Sequence, residues 1–221
     1  MYNITLICTM HLGIDKCNPK ELYDIIEKEN PEVIFEEFDI SRTDDEYYKN
    51  GHYKKQDTCS VETAAIMKYL ENHQVIHIPV DTYDVTYFPK DMYAKISNNN
   101  EEYSNLFRNI LLSGQQGFSY LNSIECSNLF ERLHAIEEEV VKNLNDEMLS
   151  NAYRSWQLVT DNRDNEMIKN IYHYSENNCY NNAIFIIGAE HRKSILDKIQ
   201  EYERKNGLKL NWNYNIYKNI L

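Results

Sequence analysis

The sequence predicts an α/β fold: a mostly parallel central sheet flanked by helices, with a helical insertion before the fourth strand. Three observations carry this. Short apolar, β-branched runs alternate with stretches of helical periodicity over the first part of the chain. Two of the apolar runs, Met1 to Ile7 and Ala183 to Ile187, each empty into a small-residue turn and a histidine, His11 and His191. Between the third run and the fourth, residues from about 100 to 175 carry helical spacing throughout. A chain of 221 residues suits one domain with one sizeable core, so residues 1–221 are expected to form a single unit.

Asn18-Pro19-Lys20-Glu21 is a helix start, with a capping side chain, a proline at the first helical position and an acidic first turn. Leu22, Ile25 and Ile26 make its apolar stripe, and Asn30-Pro31 ends it. Glu32 to Phe38 is a second strand, and the strand–helix–strand unit implies a right-handed parallel crossover. Residues 41–59 lack periodicity and read as a loop, either a cover over a site or a solvated connection. Ser60 opens a helix to about Asn72, and Gln74 to Val80 is a third strand ending on Asp81. Pro79 has no backbone donor, which hints at a sheet edge or a strand end. Helices are expected around Leu106 to Ile110, Phe130 to Met148 and Trp156 to Tyr174. A helix from about 191 to 205, closed by Asn206-Gly207, leads to an alternating last strand over 208–217.

Composition narrows the class. The formal net charge of −12 disfavours nucleic acid and anionic membrane surfaces as partners, because phosphate binding needs a basic surface. Five scattered cysteines without a C-x-x-C pair fit reduced thiols, and no signal peptide or bilayer-length apolar run is visible. A cytoplasmic protein is expected, acting on a small-molecule or peptide substrate, with its oligomeric state open. The G-x-S-x-G elbow, the P-loop and the G-x-G-x-x-G turn are all absent.

Ligands of parallel α/β sheets bind beyond the carboxyl ends of the strands. His11, Glu37, Asp81 and His191 fall there. Two imidazoles and two carboxylates on one rim can transfer protons, or hold a divalent ion with a position open for water. Neighbouring strand residues face opposite ways, so only one of Glu36 and Glu37 can face the rim. His73 and His77 are four apart, but the strand pattern begins between them, so no site is read there. His52, His134 and His173 stand isolated and read as surface or structural.

In their order, the motifs resemble the TraB–TIKI group, within the wider set that includes erythromycin esterases and ChaN-like heme-binding lipoproteins. Cys8-Thr9-Met10-His11 stands where the group has G-T-x-H. Pro31 to Arg42 is similar to its acidic second motif, with Glu37 as the motif glutamate, and Asp81 to the aspartate closing the next strand. Arg163-Asp164-x-x-Met167-x-x-x-Ile171 resembles the motif on a late helix, and Gly188-Ala189-Glu190-His191 resembles G-A-G-H. The resemblance spans residues 4 to about 195 and departs from the group at Cys8 and Glu190; the group's longer members are membrane anchored, and no such anchor is expected here. It implies a hydrolase centre of His11, Glu37 and His191, metal-assisted through manganese, cobalt or zinc on those three side chains. The water it activates would cleave a peptide or ester bond. Arg42 is implied to steady an oxyanion or substrate carboxylate, with an ion pair to Asp39 or Asp81 as its alternative. Asp81 and Arg163 are implied to bind substrate. Glu190 is either an added ligand or a solvent-facing charge. The competing reading is a non-catalytic ligand-binding module, heme-like, or a signalling module on the same fold.

Overall fold

The computed structural model describes residues 2–39, 60–82 and 92–215. The loop expected over 41–59, with Arg42 and His52, lies outside them. The elements are β1 (Asn3–Thr9), α1 (Pro19–Glu29), β2 (Val33–Asp39), α2 (Val61–Leu70), β3 (Ile76–Asp81), α3 (Met92–Asn99) and α4 (Glu101–Ser113). Then come a short 3-10 turn, α5 (Phe118–Leu121), α6 (Ile124–Leu144), α7 (Glu147–Asn177), β4 (Asn182–Gly188), α8 (Arg192–Asn206) and β5 (Asn211–Asn213). The five strands form one parallel sheet in the order β3-β2-β4-β1-β5.

This order sets the site. β4 lies between β2 and β1, so the carboxyl ends of three strands stand side by side although their residues are far apart in sequence. The inner strands are buried along their length: Ile4, Leu6, Ile7, Ile34, Phe35 and Ile184 to Ile187 are all at most 1% exposed. Strands covered on both faces read as continuous apolar runs rather than alternating ones, which is why they stand out in the sequence. Pro79 sits on β3, an edge strand, where a residue without an N–H is tolerated.

Caps fix the ends of α1 as the sequence leads one to expect. Asn18 Oδ1 accepts from the N–H groups of Lys20 and Glu21, both at 3.0 Å, and Asn30 ends the helix in the left-handed region at φ 46°. Helix ends in the insertion differ from the expectation. The helix expected to reach Met148 stops at Leu144, because Asn145 turns left-handed at φ 49° and Asp146 caps a new helix through the Leu149 N–H at 3.0 Å. Met148 therefore belongs to α7 and is 82% exposed. The last strand is shorter than its alternation suggests, and only Asn211 to Asn213 pair with β1.

Beyond β5 the free edge of β1 is covered by the insertion. Asn122 Oδ1 accepts from the Cys8 N–H at 2.8 Å, and Asn122 Nδ2 donates to the Cys8 carbonyl at 3.0 Å. One side-chain amide thus takes the place of a neighbouring strand. The insertion has a hydrophobic cluster of its own, built from Met92, Ile96, Tyr103, Leu133, Ile136 and Val140 among others.

Candidate functional site

β1, β2 and β4 deliver His11, Glu37 and Gly188 to one place. A point where a Cβ would stand on Gly188 lies 3.4 Å from Glu37 Oε2, 3.5 Å from His11 Nε2 and 3.6 Å from His191 Cδ2. The three side chains named by the resemblance converge there. Gly188 has φ −59° and ψ 139°, a conformation open to any residue. Its use here is the room it leaves, not backbone freedom.

Glu37 reaches this place through an irregularity in β2. Between Glu36 and Asp39 the register with β3 shifts, so β2 carries one residue more than its neighbour. Pairing with β4 stops at Glu36, and the Glu37 carboxylate closes the gap instead: Oε2 accepts from the Gly188 N–H at 2.7 Å. Glu36 points elsewhere and meets His77 Nε2 at 2.7 Å, so strand alternation parts the two glutamates and Glu37 is the one on the rim.

Around Glu37 the charges alternate. Arg163 on α7 donates from Nη2 to Glu37 Oε1 at 2.8 Å and to Asp81 Oδ2 at 2.6 Å, with Nε at 3.1 Å from both Asp81 oxygens. The two residues expected to bind substrate are thus bound to each other, and they fix Glu37. His191 lies 3.3 Å from Glu37 Oε1 through Nε2 and 2.7 Å from Asp164 Oδ1 through Nδ1. A carboxylate only accepts, so both ring nitrogens carry protons and His191 is an imidazolium. Burial works against that charge, but Glu37 and Asp164 overcome it and hold the His191 pKa well above the ordinary value. Burial would likewise raise the Glu37 pKa. The His191 charge and hydrogen bond, His11 and the Gly188 N–H outweigh it, and Glu37 stays well below the usual carboxylate range.

His11 is different. Its side chain is 60% exposed, and among the described residues only Nδ1 meets a carboxylate, Glu62 Oε1 at 3.3 Å. Nε2 is the nitrogen turned toward the place above Gly188. The bond to Glu62, against the effect of desolvation, raises the His11 pKa to about 9. Glu62 stands in the first turn of α2 and is buried. Its Oε1 also accepts from Thr9 Oγ1, while its buried Oε2 meets no partner among the described residues. The helix is placed by the chain itself, since the Val61 N–H donates to the His11 carbonyl at 3.4 Å.

Sequence reasoning gives neither Asp164 nor Glu62 a role at the site, although Asp164 stands beside Arg163 in the late-helix motif. Asp164 left a signal: it occupies the apolar stripe of α7 with Met167, Ile168 and Ile171, all buried. Glu62 left little, because an acid in a first helical turn is ordinary. His134, isolated in sequence, lies between Glu137 Oε2 at 2.9 Å and Glu190 Oε1 at 3.3 Å. Glu190 is partly exposed and pairs with that ring. His134 and Glu190 border a cavity of about 440 Å³ beside His191 and Asp164, walled by Phe130, Tyr153 and Trp156 from the insertion.

The expected metal ligands can be compared with this geometry. Each imidazole has its Nδ1 on a carboxylate, a partnership that orients imidazoles in metal sites and in proton-transfer sites alike. Glu37, however, is already committed to Arg163, His191 and Gly188. Among the described residues no group of three His, Cys, Asp or Glu side chains is set to hold an ion. A divalent ion on His11, Glu37 and His191 would have to displace the Arg163–Glu37 and His191–Glu37 contacts. The Cys8 thiol is a poor nucleophile here, since burial pushes its pKa up to about 12. Among the described residues no helix is long and apolar enough to cross a membrane. No family model, curated protein or solved structure matches the chain.

Proposed function

We propose that the protein is a hydrolase that cleaves an ester or peptide bond with a water activated at the His11–Glu37 centre. The observation that carries this reading is the convergence of His11 Nε2, Glu37 Oε2 and the His191 ring on the space above Gly188. A water there is within reach of His11 Nε2. The neutral imidazole accepts its proton as the oxygen attacks the carbonyl carbon, and Glu62 stabilises the imidazolium that forms. His191, held positive between Asp164 and Glu37, favours the negative charge that develops on the tetrahedral intermediate. Collapse of that intermediate expels the leaving group, which takes the proton back from His11. Arg163 and Asp81 position Glu37 rather than touch substrate. The cavity beside His191, with its aromatic wall, receives the group next to the scissile bond.

The test is hydrolysis of a panel of esters and peptides by the wild-type protein and by His11→Ala and Glu37→Ala. Each is run with a chelator and with added manganese, cobalt or zinc. Both substitutions are expected to lower the rate by at least about 10²-fold, the usual worth of a positioned proton-transfer group. Equal rates in all three proteins overturn the reading. A heme titration serves as the counter-test: a His11-dependent spectral shift without hydrolysis favours the ligand-binding module.

A further inference from the structure

Arg192 and Arg163 differ in how their guanidinium groups are satisfied. Arg163 commits its guanidinium to short bonds with Asp81 and Glu37. Arg192, at the start of α8, has two long bonds, from Nη1 to Ser127 Oγ and from Nη2 to the Tyr214 carbonyl, both 3.4 Å. Its Nε is fully buried and has no partner among the described residues. Among the described residues no carboxylate pairs with it. A half-buried cation in this state carries a desolvation cost that two long bonds to neutral oxygens offset only in part.

Its position makes the imbalance larger. Arg192 is the first residue of α8, where the helix dipole is positive, and no acidic residue stands in that first turn. Arg192 also borders a cavity of about 500 Å³ whose polar wall is formed by Ser119, Asn122, Ser123 and Tyr214. Ser123 is the N-cap of the 21-residue α6, so a second helix presents its positive end there. Among the described residues that line it, one acid, Glu125, is on the rim, and it is exposed. In a chain of net charge −12 this is a local excess of positive potential inside a polar cavity.

We propose that this cavity is an oxyanion-binding site, in which Arg192 and the N-terminus of α6 hold the phosphate of a small phosphomonoester. A guanidinium suits phosphate because its planar fork donates two parallel bonds. The volume exceeds what a bare phosphate needs, and Ile124 and Tyr214 offer contact to an organic group. The residues that line it are not those of the His11–Glu37 centre, and its occupation does not depend on hydrolysis.

The test is calorimetric titration of the full chain with phenyl phosphate and with inorganic phosphate, at constant ionic strength set with chloride. Saturable binding of phenyl phosphate, tighter than inorganic phosphate, is expected. Arg192→Gln is expected to weaken it by at least about tenfold, the loss of a charge-assisted bond. Arg192→Lys is expected to fall between, having the charge without the fork. The ligand-free Arg192→Gln protein should melt no lower than wild type, because it sheds an unpaired cation. Absence of saturable binding, or equal affinity in wild type and Arg192→Gln, overturns the proposal. If Arg192→Gln does not fold, wild-type affinity in Arg192→Lys overturns it instead.

Discussion

Asp164 Oδ1 and His191 Nδ1 meet at 2.7 Å in a place where both residues are buried, 1% and 8% exposed. The carboxylate settles the state of the ring: with Glu37 on the other nitrogen, His191 is fixed as an imidazolium. Asp164→Asn keeps the volume and removes the charge. The amide can offer either an oxygen or an N–H to the ring, so both tautomer and charge become free to change. Catalysis in an ester assay is expected to fall by about 10²–10⁴-fold, the range for disturbing proton-transfer machinery. An unchanged rate in a variant that still unfolds cooperatively would remove His191 from the reaction.

Gly188 separates stability from activity. A methyl added there lies 3.4–3.6 Å from Glu37, His11 and His191, ordinary van der Waals contact. The backbone at φ −59° accepts alanine without strain. Gly188→Ala is therefore expected to be as stable as wild type or more stable by up to about 1 kcal/mol, through the lower entropy of its unfolded chain. The methyl nevertheless fills the space where water must sit, so hydrolysis is expected to fall by at least about tenfold. Urea unfolding and an ester assay on the same preparation check both halves. Full activity would place the reacting water elsewhere.

The strand ends were legible in the sequence because a buried parallel strand is one unbroken apolar run, and the residues just beyond it land on the sheet's carboxyl edge. That alone places His11, Glu37, Asp81 and His191 on one rim, and strand alternation parts Glu37 from Glu36. Pairings across the site were not legible. Arg163 lies 82 residues from Asp81 and 126 from Glu37, and no local periodicity reports such a contact. Glu62 was hidden for another reason: its burial arises when the turn after β1 crosses the first turn of α2, a tertiary event. Arg192 carries no sequence signal at all, since an arginine is conspicuous only once its partners are known to be missing.

His11 predicts a pH profile. Its pKa is raised to about 9, first by the hydrogen bond to Glu62. Below that value it is protonated and cannot accept a proton from water. The rate under kcat/KM conditions is therefore expected to rise with pH and level off near 9. Glu62→Gln removes the charge that supports the imidazolium, so the limb should move down toward the ordinary imidazole value of about 6.5. At pH 7 the variant would hold a larger neutral fraction, though with a less well oriented ring. A limb that stays near 9 in Glu62→Gln would show that another group sets the profile.

Stability should carry the opposite signature at the acid end. Glu37 is held below the usual carboxylate range, so its folded pKa is lower than its unfolded value of about 4.3. The stability this contributes is fully present above that unfolded value and drains away as pH falls toward the folded one. His191 has the reverse sense: its folded pKa is raised, so its contribution is present below about 6.5 and lost as pH climbs through the folded value. Glu37→Gln removes the central carboxylate and leaves Arg163 and His191 facing a neutral amide. Near pH 6 the variant is expected to be less stable by about 3–5 kcal/mol, the cost of breaking a buried ion pair. That gap should be widest around pH 5–6.5 and narrow toward pH 3, where the unfolded wild-type chain takes up a proton that folded Glu37 still refuses. Urea unfolding of both proteins from pH 3 to pH 8 measures it, and a gap constant across that range would mean that Glu37 is not the charge on which the network rests.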